Sequence, residues 1–201
     1  MKNLKENENR SCTRELEIIN AAREVFSEFG YRKTTMDDVS ARMNITRSAL
    51  YYYYRNKDDL FLAIMDNWLA DYKEKVEEAI SGESTTIEKL EVFCKYYLSY
   101  RDRFFRMFKL NDDDCFVNFS LYKRTKAMSI RLQNEIITGI LKQDKKLKNS
   151  PDLEYYGYLL THSIRGFVFN SLIEDIDKLK NDVTEMCRIF YCGLHVTIQQ
   201  I

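Results

Sequence analysis

Thr46, Arg47, Ser48 and Ala49, with Tyr51, Tyr52 and Tyr53 close behind, place a guanidinium, two hydroxyls and three phenols in one short run. That set suits an anionic partner with ordered acceptor groups. A planar guanidinium fork matches the acceptor edge of guanine, and hydroxyl and phenol groups donate to phosphate oxygens. A structural alternative treats the tyrosines as packing. Tyr51–Tyr54 are consecutive, however, and a helix cannot turn four successive side chains to one face. Some of them must point outward.

The elements that would hold these residues are legible around them. Thr35–Tyr54 reads as a helix-turn-helix. Its first helix carries Val39 and Met43 on one face, with Arg42 pointing away. Asn44 supplies the turn, because Asn tolerates the left-handed backbone. Thr46 is the N-cap of the second helix, which turns Ala49 and Leu50 toward the core. The N-terminal residues of such a helix are those that meet base edges in a major groove. Upstream, Ile18, Ile19, Ala22, Val25, Phe26 and Phe29 recur at helical spacing and end at Gly30. Thr34 and Thr35 are N-cap candidates for the next helix. Downstream, Asn56-Lys57-Asp58-Asp59-Leu60 opens another helix, with Asn as cap, acids at its positive end and Lys57 exposed.

Taken in order, residues 18–65 resemble the N-terminal domain of the TetR family of bacterial transcriptional regulators. The helix-Gly-Tyr junction, the threonine pair, the Leu-Tyr-Tyr run and the Asn-Lys-acid-acid-Leu start carry the resemblance. The chain departs from the common pattern at Asn44 and Ser48, where Gly is frequent, and at Tyr53-Tyr54, where His-Phe is usual. The exposed chemistry therefore differs, and no operator sequence is carried over. The resemblance implies double-stranded DNA with an inverted repeat as partner. The DNA-contact candidates are Thr35, Thr46, Arg47, Ser48, Ala49, Tyr51, Tyr52, Tyr53 and Lys57.

Lys plus Arg and Asp plus Glu both number 31, so there is no global basic field. Locally, Arg32, Lys33, Arg42, Arg47, Arg55 and Lys57 crowd the motif against only Asp37 and Asp38. On a helix-turn-helix such a cluster meets phosphate. Five cysteines (Cys12, Cys94, Cys115, Cys187 and Cys192) contain no Cys-x-x-Cys pair. With no signal peptide and no membrane-length apolar run, a cytoplasmic protein with reduced thiols is expected. Cys115 or Cys187/Cys192 could sense oxidants, although buried spectator thiols are the plainer reading.

The expected fold is all-α, about nine helices in total. A flexible polar arm (1–13) precedes a three-helix DNA-binding domain (14–60), and a larger helical ligand-sensing and dimerisation domain (61–201) follows. In that domain we expect helices over 61–80, from a capping box at Thr85/Glu88 to about Tyr100, and a short one with Phe104, Phe105 and Phe108. Others run from about Phe116 to Lys142, from Pro151 to Ile173 and from Asn181 to Ile198, with a break at Asn111–Asp114. The 151–173 helix is apolar on nearly every side, one stripe being Tyr155, Leu159, His162, Gly166, Phe169 and Ile173. It needs cover all round, which a second subunit would complete. The resemblance implies the same: the last two helices form a four-helix dimer interface. It also implies a small molecule that moves the linking helix 57–80.

Candidates to line a pocket for a small hydrophobic or amphipathic ligand are Trp68, Phe93, Tyr97, Phe104, Phe108, Tyr122, His162 and Arg165. Core filling is the alternative for each aromatic ring. Arg165 would suit an anionic amphiphile, or else an internal carboxylate or a contact across the dimer. The function expected is a ligand-responsive, homodimeric DNA-binding regulator, usually a repressor, without catalytic residues, metal or other cofactor and without a membrane partner. A protein-interaction module in place of the sensor domain is the second reading. An all-α metal enzyme is the third, and it lacks support: neither His162 nor His195 has a Glu three residues before it, as a di-iron bundle requires. Cys192 and His195 lie one turn apart, but two ligands do not make a site.

Overall fold

A computed structural model describes residues 2–109, 119–147, 149–170 and 176–199, with side chains over 13–109, 119–147, 149–168 and 177–196. Among these residues every regular element is a helix: α1 (Lys2–Lys33), α2 (Met36–Arg42), α3 (Arg47–Tyr53), α4 (Lys57–Ser81), α5 (Thr86–Met107), α6 (Phe119–Gln143), α7 (Leu153–Asn170) and α8 (Ile176–Gln199). The expected break at Asn111–Asp114, the helix start at Phe116, and Cys115 lie outside the described residues. No helix among the described residues is long and apolar enough to cross a membrane.

The chain divides into two compact units, Met1–Trp68 with Asp102–Thr125, and Leu69–Arg101 with Lys126–Ile201. The first unit reaches past the expected boundary at residue 60. Its core joins Ile18, Ala22, Val25 and Phe26 of α1 to Val39, Leu50, Leu60 and Ile64, all essentially buried. Phe61 packs edge-on against Phe26, Tyr31 and Phe108 with ring centroids 5.0–5.5 Å apart, a favoured aromatic geometry. At Gly30 the backbone takes φ +79°, a conformation that L side chains rarely adopt, and α1 bends there. Lys109 Nζ donates to the Glu28 carbonyl at 2.6 Å beside this bend. The backbone is helical from Lys2, where the sequence reading expected an arm. Lys2, Leu4, Lys5, Glu6, Glu8 and Arg10 in that stretch favour helix.

Local signals set the motif. Thr35 caps α2 in a capping box with Asp38, whereas Thr34 is buried and donates to the Gly30 carbonyl. Asn44 adopts φ 52°, as the turn requires. Asp59 N donates to Asn56 Oδ1 at 2.8 Å, which confirms Asn56 as the cap of α4.

In the second unit, Tyr72 and Val76 of α4, Phe93, Cys94 and Tyr97 of α5, Ile137 and Ile140 of α6, Leu160 and Ile164 of α7, and Val183 and Cys187 of α8 are buried. α6 and α7 approach closely at Gly157, where an added Cβ would lie 2.0 Å from Thr138 Oγ1. Asp144 accepts from Thr86 Oγ1 at 2.7 Å and from Tyr191 OH, tying the start of α5 to α8. Arg188 of α8 donates through Nε to Glu91 of α5 at 2.8 Å.

Three expected boundaries are corrected. α5 runs without interruption to Met107, because Arg101-Asp102-Arg103 contains no helix breaker; its Thr85/Glu88 capping box is present. α7 begins at Leu153, with Pro151 and Asp152 in a preceding turn whose Asp152 carbonyl accepts from Tyr156 N at 2.9 Å. α8 begins at Ile176, so Asn181 is an exposed mid-helix residue. Buried Leu179 and Val183 carry the helical spacing across it.

Candidate nucleic-acid interface

α3 is short, and Leu50 is its only fully buried side chain. The other positions are consequently free for display. Thr46 accepts from Ala49 N at 3.2 Å and fixes the N-terminus of the helix. Arg47, Ser48, Ala49, Tyr51 and Tyr52 are exposed, Tyr52 to 84%. The expectation that Ala49 faces the core is corrected. In a seven-residue helix anchored through Leu50, the preceding position points to solvent. Tyr53 is half-buried, its ring edge-on to Tyr52 at 5.2 Å.

Arg47 does not extend freely from the helix. Its Nε lies 3.1 Å from Asp37 Oδ1, and its Nη1 donates to Asp37 Oδ2 at 3.3 Å. Nη2 donates to Tyr51 OH at 3.4 Å, and the guanidinium lies 5.4 Å from the Tyr51 ring centroid. The hydrogen bond to Tyr51 and the Asp37 charge hold the guanidinium above its ordinary pKa, so it is a permanent cation. The sequence does not reveal Asp37 as a partner, since nine intervening positions and a turn hide the pairing. Arg42 is drawn back onto α1, with Glu24 at 3.3 Å and Glu28 at 2.5 Å, which removes it from the charge offered outward.

Lys57 is half-buried, not exposed as expected. Its Nζ donates to the carbonyls of Tyr31 at 3.0 Å and Arg32 at 3.4 Å and lies 4.5 Å from the Tyr31 ring centroid. Burial pulls its pKa below the ordinary lysine value, against the opposing pull of Asp58. An ammonium has three donors, so two carbonyls leave one for a phosphate. Thr35 N donates to Asp38 Oδ2 at 2.8 Å and Thr35 is exposed. Arg42 and Lys57 thus brace the motif internally, while Arg47, Ser48, Ala49, Tyr51 and Tyr52 form its outer face.

The pocket candidates fall into both units. Trp68, Phe104 and Phe108 pack on one another in the first, with centroids 4.8–6.4 Å apart, and fill its core. Tyr122, also in the first unit, is half-buried, and its carbonyl accepts from Thr125 Oγ1 at 3.0 Å. In the second unit Phe93 and Tyr97 are buried and stacked at 6.3 Å. His162 is corrected as an interior candidate. It is exposed, with Nδ1 2.9 Å from the Tyr158 carbonyl and its ring against Tyr158 at 4.1 Å, so a helix carbonyl supplies its polar partner. Arg165 Nη1 donates to Gln133 Oε1 at 2.9 Å and to Ser129 Oγ at 3.2 Å. His195 faces Asp144 at 3.9 Å and the Tyr191 ring at 4.5 Å, while Cys192 is exposed.

Comparison with known proteins places this geometry in context. Residues 18–64 match the family described as bacterial regulatory proteins, tetR family. Over 195 residues the chain is 23% identical to the fatty acid metabolism regulator protein of Bacillus subtilis, spanning 90% of this chain and 95% of that one. A transcriptional regulator from Cytophaga hutchinsonii superposes with TM-score 0.67 at 21% identity, covering 86% of this chain and 94% of the other. The regulator FadR from Bacillus subtilis, solved in complex with stearoyl-CoA, superposes with TM-score 0.57 at 21% identity, covering 85% and 96%. At such identities the likeness to solved structures speaks for the fold.

Proposed function

Because this chain belongs to the TetR family of bacterial transcriptional regulators and carries a DNA-binding helix-turn-helix, we propose that it is a homodimeric repressor of an inverted-repeat operator, released by a small molecule. The observation that carries the reading is the outer face of α3, where Arg47, Ser48, Ala49, Tyr51 and Tyr52 are exposed around a single buried anchor, Leu50. Arg47 reads a base edge in the major groove. Thr46 and Ser48 contact bases or nearby phosphates, and Thr35, Tyr51, Tyr53 and Lys57 hold the backbone.

Dimerisation is supported by α7 and α8. Tyr155, Tyr158 and Phe167 of α7 and Ile189 and Val196 of α8 are large apolar side chains left 38–66% exposed. A second copy covering them sets two recognition helices about 34–36 Å apart, the spacing of successive major grooves. Ligand response is supported by the neighbour solved with stearoyl-CoA, which makes an amphipathic acyl compound the first class to try. α4 has residues in both units and is the element whose shift would alter half-site spacing. The coupling is reciprocal, so operator DNA weakens the ligand by the same factor.

The test is selection of bound duplexes from a random-sequence library, with a salt titration and sedimentation of the complex. An inverted repeat carrying two chains supports the reading. No enrichment, with no binding at low salt, overturns it. Ile189→Glu with Tyr158→Glu should yield a monomer that no longer protects the repeat.

A further inference from the structure

Several cations of the second unit are paired with carboxylates. Arg188 is paired with Glu91, Lys73 with Glu135 and Lys75 with Asp71. Arg165 is half-buried on α7, and it donates to Ser129 and Gln133 of α6, which are both neutral. Gln133 is itself buried, and its Nε2 donates to Ser129 Oγ at 2.9 Å. The three side chains close a ring of hydrogen bonds that orients the guanidinium through one nitrogen. Both bonds leave from Nη1, so Nε and Nη2, a planar donor pair, remain for another acceptor. Among the described residues this half-buried cation has no carboxylate partner, and a bidentate carboxylate fits a guanidinium fork.

A second observation lies on the neighbouring helices. The Tyr72 hydroxyl of α4 is buried and has no hydrogen-bond partner. Burial pushes the Tyr72 phenol well above its ordinary pKa, with Tyr97 of α5 adding to the shift, and the Arg165 charge opposes the same effect of burial at Tyr97. Phe93, fully buried, stacks on Tyr97 and supplies apolar surface beside the phenols. An orphan hydroxyl in an interior wants an acceptor, since leaving it unmatched is costly.

We propose that the second unit binds a carboxylate-headed amphiphile, its head held by Arg165 as oriented by Gln133 and Ser129 and accepting from the Tyr72 hydroxyl, and its apolar body beside Phe93 and Tyr97. This rests on the reading of the chain as a ligand-responsive regulator and gives that ligand a chemical class. A free acid, not a neutral lipid, is the preferred occupant. Gln133 is a positioning residue, and Arg165 is the contact.

The experiment is calorimetric titration of the full-length protein with three probes of equal chain length: hexadecanoate, hexadecanol and hexadecanoyl coenzyme A. Wild-type protein, Arg165→Gln, Arg165→Lys and Tyr97→Phe are compared, each checked for native helicity by circular dichroism. The expected result is binding of hexadecanoate, at least tenfold weaker in Arg165→Gln and partly retained in Arg165→Lys, with hexadecanol bound more weakly and equally by all variants. Equal binding of acid and alcohol, or of the acid by wild type and Arg165→Gln, overturns the proposal. Binding of the thioester alone with loss in Arg165→Gln assigns the guanidinium to a coenzyme phosphate and overturns the carboxylate assignment. If none of the three binds, the proposal falls. Release of the operator by compounds from a broad library would then show that the regulator reading survives without it.

Discussion

Asp37 on α2 holds Arg47 on α3: its carboxylate lies 3.1 Å from the guanidinium Nε, across the turn of the helix-turn-helix. Both side chains are more than 60% exposed, so the pair contributes little to stability. Its effect is on orientation and on competition. The carboxylate confines the guanidinium at the N-terminus of α3, and its charge would repel a phosphate there.

Asp37→Ala should therefore strengthen binding to random duplex several-fold and lower the ratio of operator to random affinity. Arg47→Ala should lose discrimination at one base pair, about 1–3 kcal/mol. Competition titrations with operator variants read both effects. A uniform loss across all sequences in Arg47→Ala would reassign that residue to phosphate.

Lys57→Ala should weaken all duplexes alike and reduce the salt slope by about one unit. It should also lower the urea midpoint, since the carbonyls of Tyr31 and Arg32 lose their donor, a change of about 1 kcal/mol. A variant with unchanged stability would mean that water replaces the ammonium there.

Gly157→Ala should destabilise by about 1–3 kcal/mol through overpacking, because its Cβ would meet Thr138 Oγ1 at 2.0 Å and Thr138 Cβ at 3.1 Å. Gly139→Ala, with nothing within 4 Å of an added Cβ, should instead stabilise α6 by about 0.5–1 kcal/mol. Thermal unfolding of both variants decides the sign.

Cys94 and Cys187 bring their sulfurs within 3.4 Å between α5 and α8, both buried. Their shared hydrogen bond, with burial behind it, pushes the Cys94 thiol well above the usual range, so its thiolate is scarce. In a background with Cys12 and Cys115 replaced by Ser, native protein should react with iodoacetamide at Cys192 alone. Mass spectrometry should find the other two labelled only after unfolding.

Asp144 gives the acid limb of stability. Burial would raise its pKa, but hydrogen bonds from Tyr191, Thr86 and the Lys146 amide, with the nearby His195, hold it below the ordinary 3.8. Burial, and then the bond to Asp144, in turn push Tyr191 up to about 12. A depressed carboxylate stabilises the fold above its unfolded value and ceases to do so as pH falls through 3.8 toward the folded value. Asp144→Asn should lower the urea midpoint at neutral pH and make its decline below that pH shallower. Asp38 and Glu88, also depressed, keep the decline from vanishing.

The DNA-binding motif was legible because its signals are local. Thr35, Asn44, Thr46 and Asn56 each act on a backbone group within a few positions, so residue type at a given spacing predicts the geometry. The Asp37–Arg47 pair and the ring of Arg165, Ser129 and Gln133 depend on which helix faces which, and spacing along one helix is blind to that. The continuity of α5 and the early start of α8 were missed for another reason. Aromatic clusters and cap-type residues such as Asn181 look like boundaries when the burial that carries a helix through them is unknown. His162 looked interior because apolar neighbours on α7 suggested burial, yet that face is the exposed one.

Trp68 is the only tryptophan in the chain, and it sits 6% exposed among Phe104, Phe108 and the Arg103 guanidinium, the last 5.3 Å from its ring. Its fluorescence is therefore an optical reporter of the helix-turn-helix unit alone, uncontaminated by any second indole. The emission maximum should be blue-shifted in the native state, and its quenching by acrylamide would time the loosening of the packing around Trp68 on α4.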